Sequence, residues 1–366
     1  MPDTPQMKPW IEAIHAYTPG RSTGAGGRPL VKLSANENPL GCSPDALTAL
    51  RDADNLARYP DPDATALREA IGAKHRIAPA RIACGAGSGE MLQCAVQAFA
   101  GPGDEMLFAE YSFSLYPLLA MKVGAKPVGA PMNDYVVSVD ALLAAATERT
   151  RVVLLDNPNN PCGSWIDFRE VKRLHDNLPR DVLLVVDQAY AEYLGVGLDD
   201  GALDLAAEHG NVLVTRTFSK AYGLAAERIG WATGAPELVG AINKLRGAFN
   251  VSATGQRAAL AGLADEQFLS HSQTENAGAR TAFTAAIDAL GNHGIRAVPS
   301  EANFVLVLFE GELSADAAMS AIEAGGYAVR HLPGQGLPYA LRITIGTRAQ
   351  MDEIAEILRQ AAQATA

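Results

Sequence analysis

The segment Asn211-Val-Leu-Val-Thr-Arg-Thr-Phe-Ser-Lys220 governs how this chain folds. It begins as a short β-rich run and ends in hydroxyls and a lysine. Ala221-Tyr-Gly-Leu-Ala-Ala226, small and apolar, follows, with Arg228 close behind. A lysine just past a strand end and half surrounded by apolar chain is poorly hydrated. Desolvation lowers an amine's pKa, and a neutral amine is the form that condenses with a carbonyl. Thr217, Ser219 and Arg228 supply the kind of donors that hold a dianionic phosphate. The ordinary alternative is a solvated surface lysine, so other segments must decide between the two.

Two of them repeat the pattern. Arg151-Val-Val-Leu-Leu155 and Val182-Leu-Leu-Val-Val186 are aliphatic without polar alternation, the mark of parallel strands covered on both faces. The first runs into Asp156-Asn-Pro-Asn-Asn-Pro-Cys-Gly163 and the second into Asp187-Gln-Ala-Tyr190. The three strands together predict Asn160, Asp187 and Lys220 along one carboxyl edge, where open α/β sheets bind ligands. An aspartate after five aliphatic residues needs its charge matched, by a structural ion pair or by a protonated ring nitrogen.

Gly85-Ala-Gly-Ser-Gly-Glu90 is a glycine-rich turn, and Met91, Leu92, Ala95, Val96 and Phe99 after it follow helical spacing. Such a turn presents helix N-terminal N–H groups to a phosphate. It approaches the dinucleotide fingerprint, but Glu90 stands at the third glycine position. Glu105-Met-Leu-Phe108 predicts a strand, followed by an aromatic-rich loop, Ala109 to Tyr116. An aromatic there stacks on a flat ligand or packs between layers. Arg58-Tyr-Pro-Asp-Pro62 reads as an exposed turn.

At the N-terminal end, prolines and glycines predict an extended arm over residues 1–45, with Leu30-Val-Lys-Leu33 strand-like inside it. Ser43-Pro44 opens a helix. Residues 46–266 read as the large domain. From 267 to 366 the texture changes to a smaller α+β unit: a helix from Asn276 to Leu290, strands at 296–298, 302–307, 328–330 and 341–345, and a loop from His331 to Tyr339. Arg342, in an otherwise apolar strand, calls for a carboxylate or an anionic substrate.

Thirty basic against 41 acidic residues give a net charge of −11, and no local basic stripe argues for nucleic acid. Hydrophobic residues make up 48% and charged residues 19%, as in soluble enzymes. The 4 cysteines lack CxxC or Cys/His spacing, which speaks against zinc or a disulfide framework. Met1 to Trp10 carries no signal-peptide core, and no apolar run reaches membrane-spanning length, so the expected compartment is the cytoplasm.

Taken in order, several motifs resemble one family. They are Ala16-Tyr-Thr-Pro-Gly20, Ala35-Asn-Glu-Asn-Pro39, Asn157-Pro-Asn-Asn-Pro161, Asp187-Gln-Ala-Tyr190, Thr217-Phe-Ser-Lys220 with Arg228, Ala302-Asn-Phe-Val305 and Leu341-Arg-Ile-Thr344. The chain resembles pyridoxal-phosphate-dependent aminotransferases of fold type I and, among them, histidinol-phosphate aminotransferases. The resemblance implies an α/β fold with a large, mostly parallel mixed sheet flanked by helices, and pyridoxal 5'-phosphate as cofactor. It makes Lys220 the Schiff-base lysine and Asp187 the partner of the pyridine nitrogen, with Asn160 and Tyr190 on the ring's phenolic oxygen. Ser88, Gly89, Thr217, Ser219 and Arg228 would hold the cofactor phosphate, and Phe113, rather than Tyr111, would stack on the ring. Tyr59 would reach the cofactor phosphate of a second subunit, implying a homodimer, while Tyr17, Asn36, Arg330 and Arg342 would meet the substrate.

The implied reaction is transamination of histidinol phosphate with the glutamate/2-oxoglutarate pair. A broad aromatic aminotransferase, a decarboxylase of a phosphorylated amino acid and a silent cofactor-binding protein are the alternatives. Gln188, Cys162, Glu227 and Gly89 depart from the family's usual residues.

Overall fold

The computed structural model describes residues 4–14, 23, 27–51 and 57–365. Its strands, in chain order, are β1 (Val31–Lys32), β2 (Ile82–Gly85), β3 (Glu105–Ala109), β4 (Lys126–Ala130), β5 (Thr150–Asp156), β6 (Leu183–Asp187), β7 (Val212–Thr217), β8 (Gly230–Gly234), β9 (Ile295–Ala297), β10 (Phe304–Phe309), β11 (Tyr327–Ala328), β12 (Arg330–Leu332) and β13 (Leu337–Thr344). Seven form the large sheet, in the order β2-β8-β7-β6-β5-β3-β4. Its pairings are parallel except at β8, which runs antiparallel to both β2 and β7.

The aliphatic runs of β5 and β6 lack polar alternation because helices cover both faces of the sheet. Val152, Leu154, Leu183 and Val185 enter one apolar core, and Val153, Leu155, Leu184 and Val186 enter the other. Register then fixes the level of the polar ends: Asp156 pairs with Asp187, and Asp187 with Thr215. Hydrophobic patterning announces neither Lys126–Ala130 nor Gly230–Gly234. Gly-Trp-Ala-Thr-Gly contains little β-branched chain, and its place in the sheet comes from its two neighbours.

The helices expected after Ser43-Pro44 and after the glycine-rich turn fall where local signals put them. Ser43 accepts from the Asp45 and Ala46 N–H groups and caps Pro44–Arg51. The glycine-rich turn delivers the chain into Ser88–Phe99, which buries Met91, Leu92, Ala95 and Val96. The long helix starts earlier than periodicity predicts and spans Glu266–Asp288, because Asp265 accepts from the Phe268 N–H and caps it there.

A smaller antiparallel sheet, β12-β13-β10-β9, packs against the helices Glu266–Asp288, Ala315–Ala324 and Arg348–Thr365. The expected loop from His331 to Tyr339 is instead mostly strand, with a short turn at Pro333–Gln335. The N-terminal segment ties into this region: β1 pairs in parallel with β11, and the Thr344 N–H donates to the Leu33 carbonyl at 2.9 Å. Among the described residues, no helix is long and apolar enough to cross a membrane.

Phe283 is 1% exposed in the core beneath the smaller sheet. Phe283→Ala is expected to cost roughly 3–5 kcal/mol of stability, seen as a lower denaturant midpoint in equilibrium unfolding.

Candidate active site

A cleft of about 480 Å³ opens over the carboxyl ends of β5, β6 and β7, walled on its far side by the segment after β1 and by β12 and β13. Lys220 is held there by the loop between β7 and β8. Its amine donates to the Ala35 carbonyl at 3.0 Å and sits 5.8 Å from the centre of the Tyr190 ring. Burial lowers the amine's pKa to about 7, assisted by the positive charge of Arg342 and partly opposed by Glu37. The side chain keeps some exposure, but the space it meets is the cleft itself.

Asp187, at the end of β6, is buried and accepts from the Thr215 hydroxyl (2.9 Å) and the Tyr116 hydroxyl (3.3 Å). Burial pushes its carboxyl up to about 6, with those two hydroxyls pulling the other way. Tyr190 is buried beside it, and its hydroxyl accepts from the amides of Asn36 (2.9 Å) and Asn160 (3.3 Å). The Asn160 amide oxygen in turn accepts from Arg342 at 2.6 Å, and Arg342 also donates to the Ser34 carbonyl at 2.7 Å. One chain of polar contacts therefore joins the strand ends of the large sheet to β13 of the small one.

The opposite end of the cleft has a different character. Arg228 donates to the Ser219 hydroxyl at 3.1 Å, and that hydroxyl accepts from Thr217 at 3.0 Å. Ser88 and Gly89 begin the helix Ser88–Phe99 at the same place. Gly87 and Gly230 leave no room for side chains. A Cβ on Gly87, whose φ is +82°, would stand 2.5 Å from an Arg228 nitrogen, and one on Gly230 would stand 2.2 Å from the Ser88 nitrogen. Close backbone, a helix N-terminus, hydroxyls and a guanidinium make an anion cradle. Asn36 (φ 57°) and Arg228 (φ 54°) both hold left-handed backbone while lining the cleft. Such local cost is tolerated where the surroundings over-determine the conformation.

The structure brings Ser88, Gly89, Phe113, Asn160, Asp187, Tyr190, Thr217, Ser219, Lys220, Arg228, Asn36, Arg330 and Arg342 to this one cleft. Phe113 lines it, whereas Tyr111 stacks on Tyr135 at 5.9 Å. Tyr59 is not brought there: it is 80% exposed and stacks on Phe249 at 4.4 Å. Tyr17 lies outside the described residues. Residue patterning overlooks Tyr116, Gln335 and Asp156. Tyr116 and Gln335 carry no signal beyond the aromatic loop and a turn, and Asp156 carries only its position at the head of the Asn-Pro-Asn-Asn-Pro segment.

A phosphorylated pyridine aldehyde suits these donors. The cradle suits a phosphate, Asp187 offers a buried carboxyl met by two hydroxyls and the Ala189 backbone N–H, all neutral, and Lys220 offers an amine that is half neutral near pH 7.

Comparison with known proteins agrees with this geometry. The sequence pattern of the family "Aminotransferase class I and II" matches residues 28–358. The chain is 61% identical to the histidinol-phosphate aminotransferase of Erythrobacter litoralis, covering 100% of both chains. It is 56% identical to that of Zymomonas mobilis, covering 98% of both. The crystal structure of histidinol-phosphate aminotransferase from Sinorhizobium meliloti in complex with pyridoxal-5'-phosphate superposes with a TM-score of 0.90 at 30% identity, covering 99% of this chain and 98% of that one. The chain belongs to the class I and II aminotransferases and resembles their histidinol-phosphate aminotransferase members over its whole length.

Proposed function

We propose that the chain transfers the amino group between L-histidinol phosphate and 2-oxoglutarate, giving imidazole acetol phosphate and glutamate in histidine biosynthesis, with pyridoxal 5'-phosphate as cofactor. The observation that carries this reading is the convergence of Lys220, Asp187 and the Arg228 cradle in one cleft. Full-length likeness to relatives that bear the histidinol-phosphate name favours this substrate over the aromatic and decarboxylase alternatives.

When bound, the cofactor supplies an aldehyde that exchanges amines and a ring that accepts the electrons of a breaking C–H bond. Lys220, half neutral near pH 7, is the amine that would hold the aldehyde. The same amine would serve as the general base that takes the proton from the substrate α-carbon. Asp187 would hold the cofactor's ring nitrogen in its protonated form, so that negative charge developing at the α-carbon would be drawn toward a cation. Tyr190 and Asn160 would bind the phenolic oxygen, with Asn36 orienting the Tyr190 hydroxyl. Phe113 would stack on the ring, and Ser88, Gly89, Thr217, Ser219 and Arg228 would take the phosphate.

Arg330 and Arg342, paired across β12 and β13, meet the anionic end of the substrate together with Asn36 and Tyr17. Arginine's planar fork suits both a carboxylate and a phosphate monoester, which one site must accept in turn. The exposed Tyr59 serves the cofactor phosphate of a second subunit, so the working unit is a homodimer, acting in the cytoplasm. Residues 1–45 form its arm, 46–266 the cofactor domain and 267–366 the small domain.

With glutamate as donor, purified protein is expected to form 2-oxoglutarate with imidazole acetol phosphate far faster than with phenylpyruvate or aliphatic keto acids; equal rates across that panel would reject the substrate. Lys220→Ala is expected to lose turnover by about 10³-fold or more, together with the visible absorbance of the bound cofactor. Asp187→Ala is expected to lower kcat by about 10²–10³-fold with the fold retained by circular dichroism. Capture of the cofactor by cofactor-free protein requires the unprotonated amine, so its rate is expected to rise with pH through a midpoint of about 7. A midpoint close to that of an ordinary lysine would contradict the buried, lowered amine.

A further inference from the structure

Asp156 has no part in the reaction as described, yet it lines the same cleft and is only 3% exposed. Strand register puts it beside Asp187, on the neighbouring parallel strand. Two carboxyl groups side by side at a buried strand end repel one another and lose hydration, so a carboxyl kept there needs compensation. The compensation is a set of fixed N–H donors. One oxygen accepts from the backbone N–H of Phe113 at 3.1 Å and from that of Asn160 at 2.8 Å, and the other accepts from the Asn159 amide at 3.0 Å.

The Phe113 N–H belongs to the same peptide group as the Ser112 carbonyl, and that carbonyl accepts from Gln335 at 3.0 Å. A single peptide unit is thus gripped from both sides, by Asp156 on the cleft floor and by Gln335 on the turn between β12 and β13. Through its other contact, the same carboxyl fixes the backbone of Asn160, whose side chain reaches Tyr190 and Arg342.

We propose that Asp156 is a positioning residue. It ties the Phe113 wall and the Asn160 loop to one anchor beside Asp187, and so sets the slot in which the cofactor ring is seated. The proposal rests on the reading above, in which Phe113 stacks on the ring and Asn160 meets its phenolic oxygen. A carboxylate suits the task because both of its oxygens accept, and these donors pull against the burial and the Asp187 charge that push its pKa up to about 7. An asparagine of the same shape turns an N–H₂ toward at least one of the three donors.

The test measures pyridoxal 5'-phosphate affinity by titration of cofactor-free protein, and the visible circular dichroism of the bound ring, which reports how the ring is seated. Asp156→Asn is expected to weaken affinity by about tenfold, the scale of one or two lost charge-assisted hydrogen bonds, and to diminish the dichroic band. Asp265→Ala serves as the structural control. It removes a helix cap far along the chain that bonds the Phe268 N–H and the Ser43 hydroxyl, and it is expected to lower the melting temperature while leaving affinity and band unchanged.

If Asp156→Asn melts lower but binds within about twofold of the natural protein with the same band, Asp156 is merely structural and the clamp is overturned. Should Asp156→Asn not fold, Asn159→Ala removes one donor from the same carboxyl, and natural affinity and band in that variant overturn the clamp equally. Failure of the natural protein itself to take up the cofactor sinks the underlying functional reading instead.

Discussion

The organising constraint is the removal from water of an amine and a carboxyl at neighbouring strand ends. Burial drives the two in opposite directions, lowering Lys220 to about 7 and raising Asp187 to about 6. Each shift opposes folding. A lysine whose folded pKa lies below its unfolded value weakens the fold most below pH 7 and ceases to do so above its ordinary range. An aspartate whose folded pKa is raised weakens the fold most above pH 6 and not at all below its ordinary range. Near neutrality both burdens are present, and two apolar cores, one on each face of the large sheet, carry them. The same shifts make the pair useful, because a group near its midpoint at working pH gives and takes protons readily.

Around that pair the fold separates two kinds of polar work. At the Arg228 end, donors come from backbone, hydroxyls and a helix N-terminus, and steric closure by glycine brings them near one another. At the Tyr190 end, side chains from three distant parts of the chain interlock: Asn36 after β1, Asn160 after β5 and Arg342 on β13. The first end recognises an anion by local backbone geometry. The second depends on the two sheets meeting in one arrangement. The Ser112–Phe113 peptide group, held by Asp156 and Gln335, is another tie between the same two sheets.

Much of this was legible in the linear order of residues, since its causes are local. Aliphatic runs without polar alternation mark strands covered on both faces, and the residues after them mark the sheet's carboxyl edge. Asp187, Asn160 and Lys220 were therefore legible as neighbours before any coordinates, as was the helix entered through Gly85–Glu90. Local cues misjudged the start of the long helix, where the cap at Asp265 outweighs the periodicity, and gave no sign of β8, whose composition is unremarkable for a loop.

Sequence by itself determined the class of fold, the identity of the reactive groups and the motifs they share with a family, because periodicity, turn chemistry and residue type act over short spans. Tertiary structure decided which far-separated groups meet. It put the Asn36 amide against Tyr190, the Ala35 carbonyl against the Lys220 amine and Arg342 against Asn160, and it kept Tyr59 outside the cleft. It also set Asp156 beside Asp187, a juxtaposition made by strand register. Register and long-range contact depend on how whole layers pack, and no short span of residues encodes that.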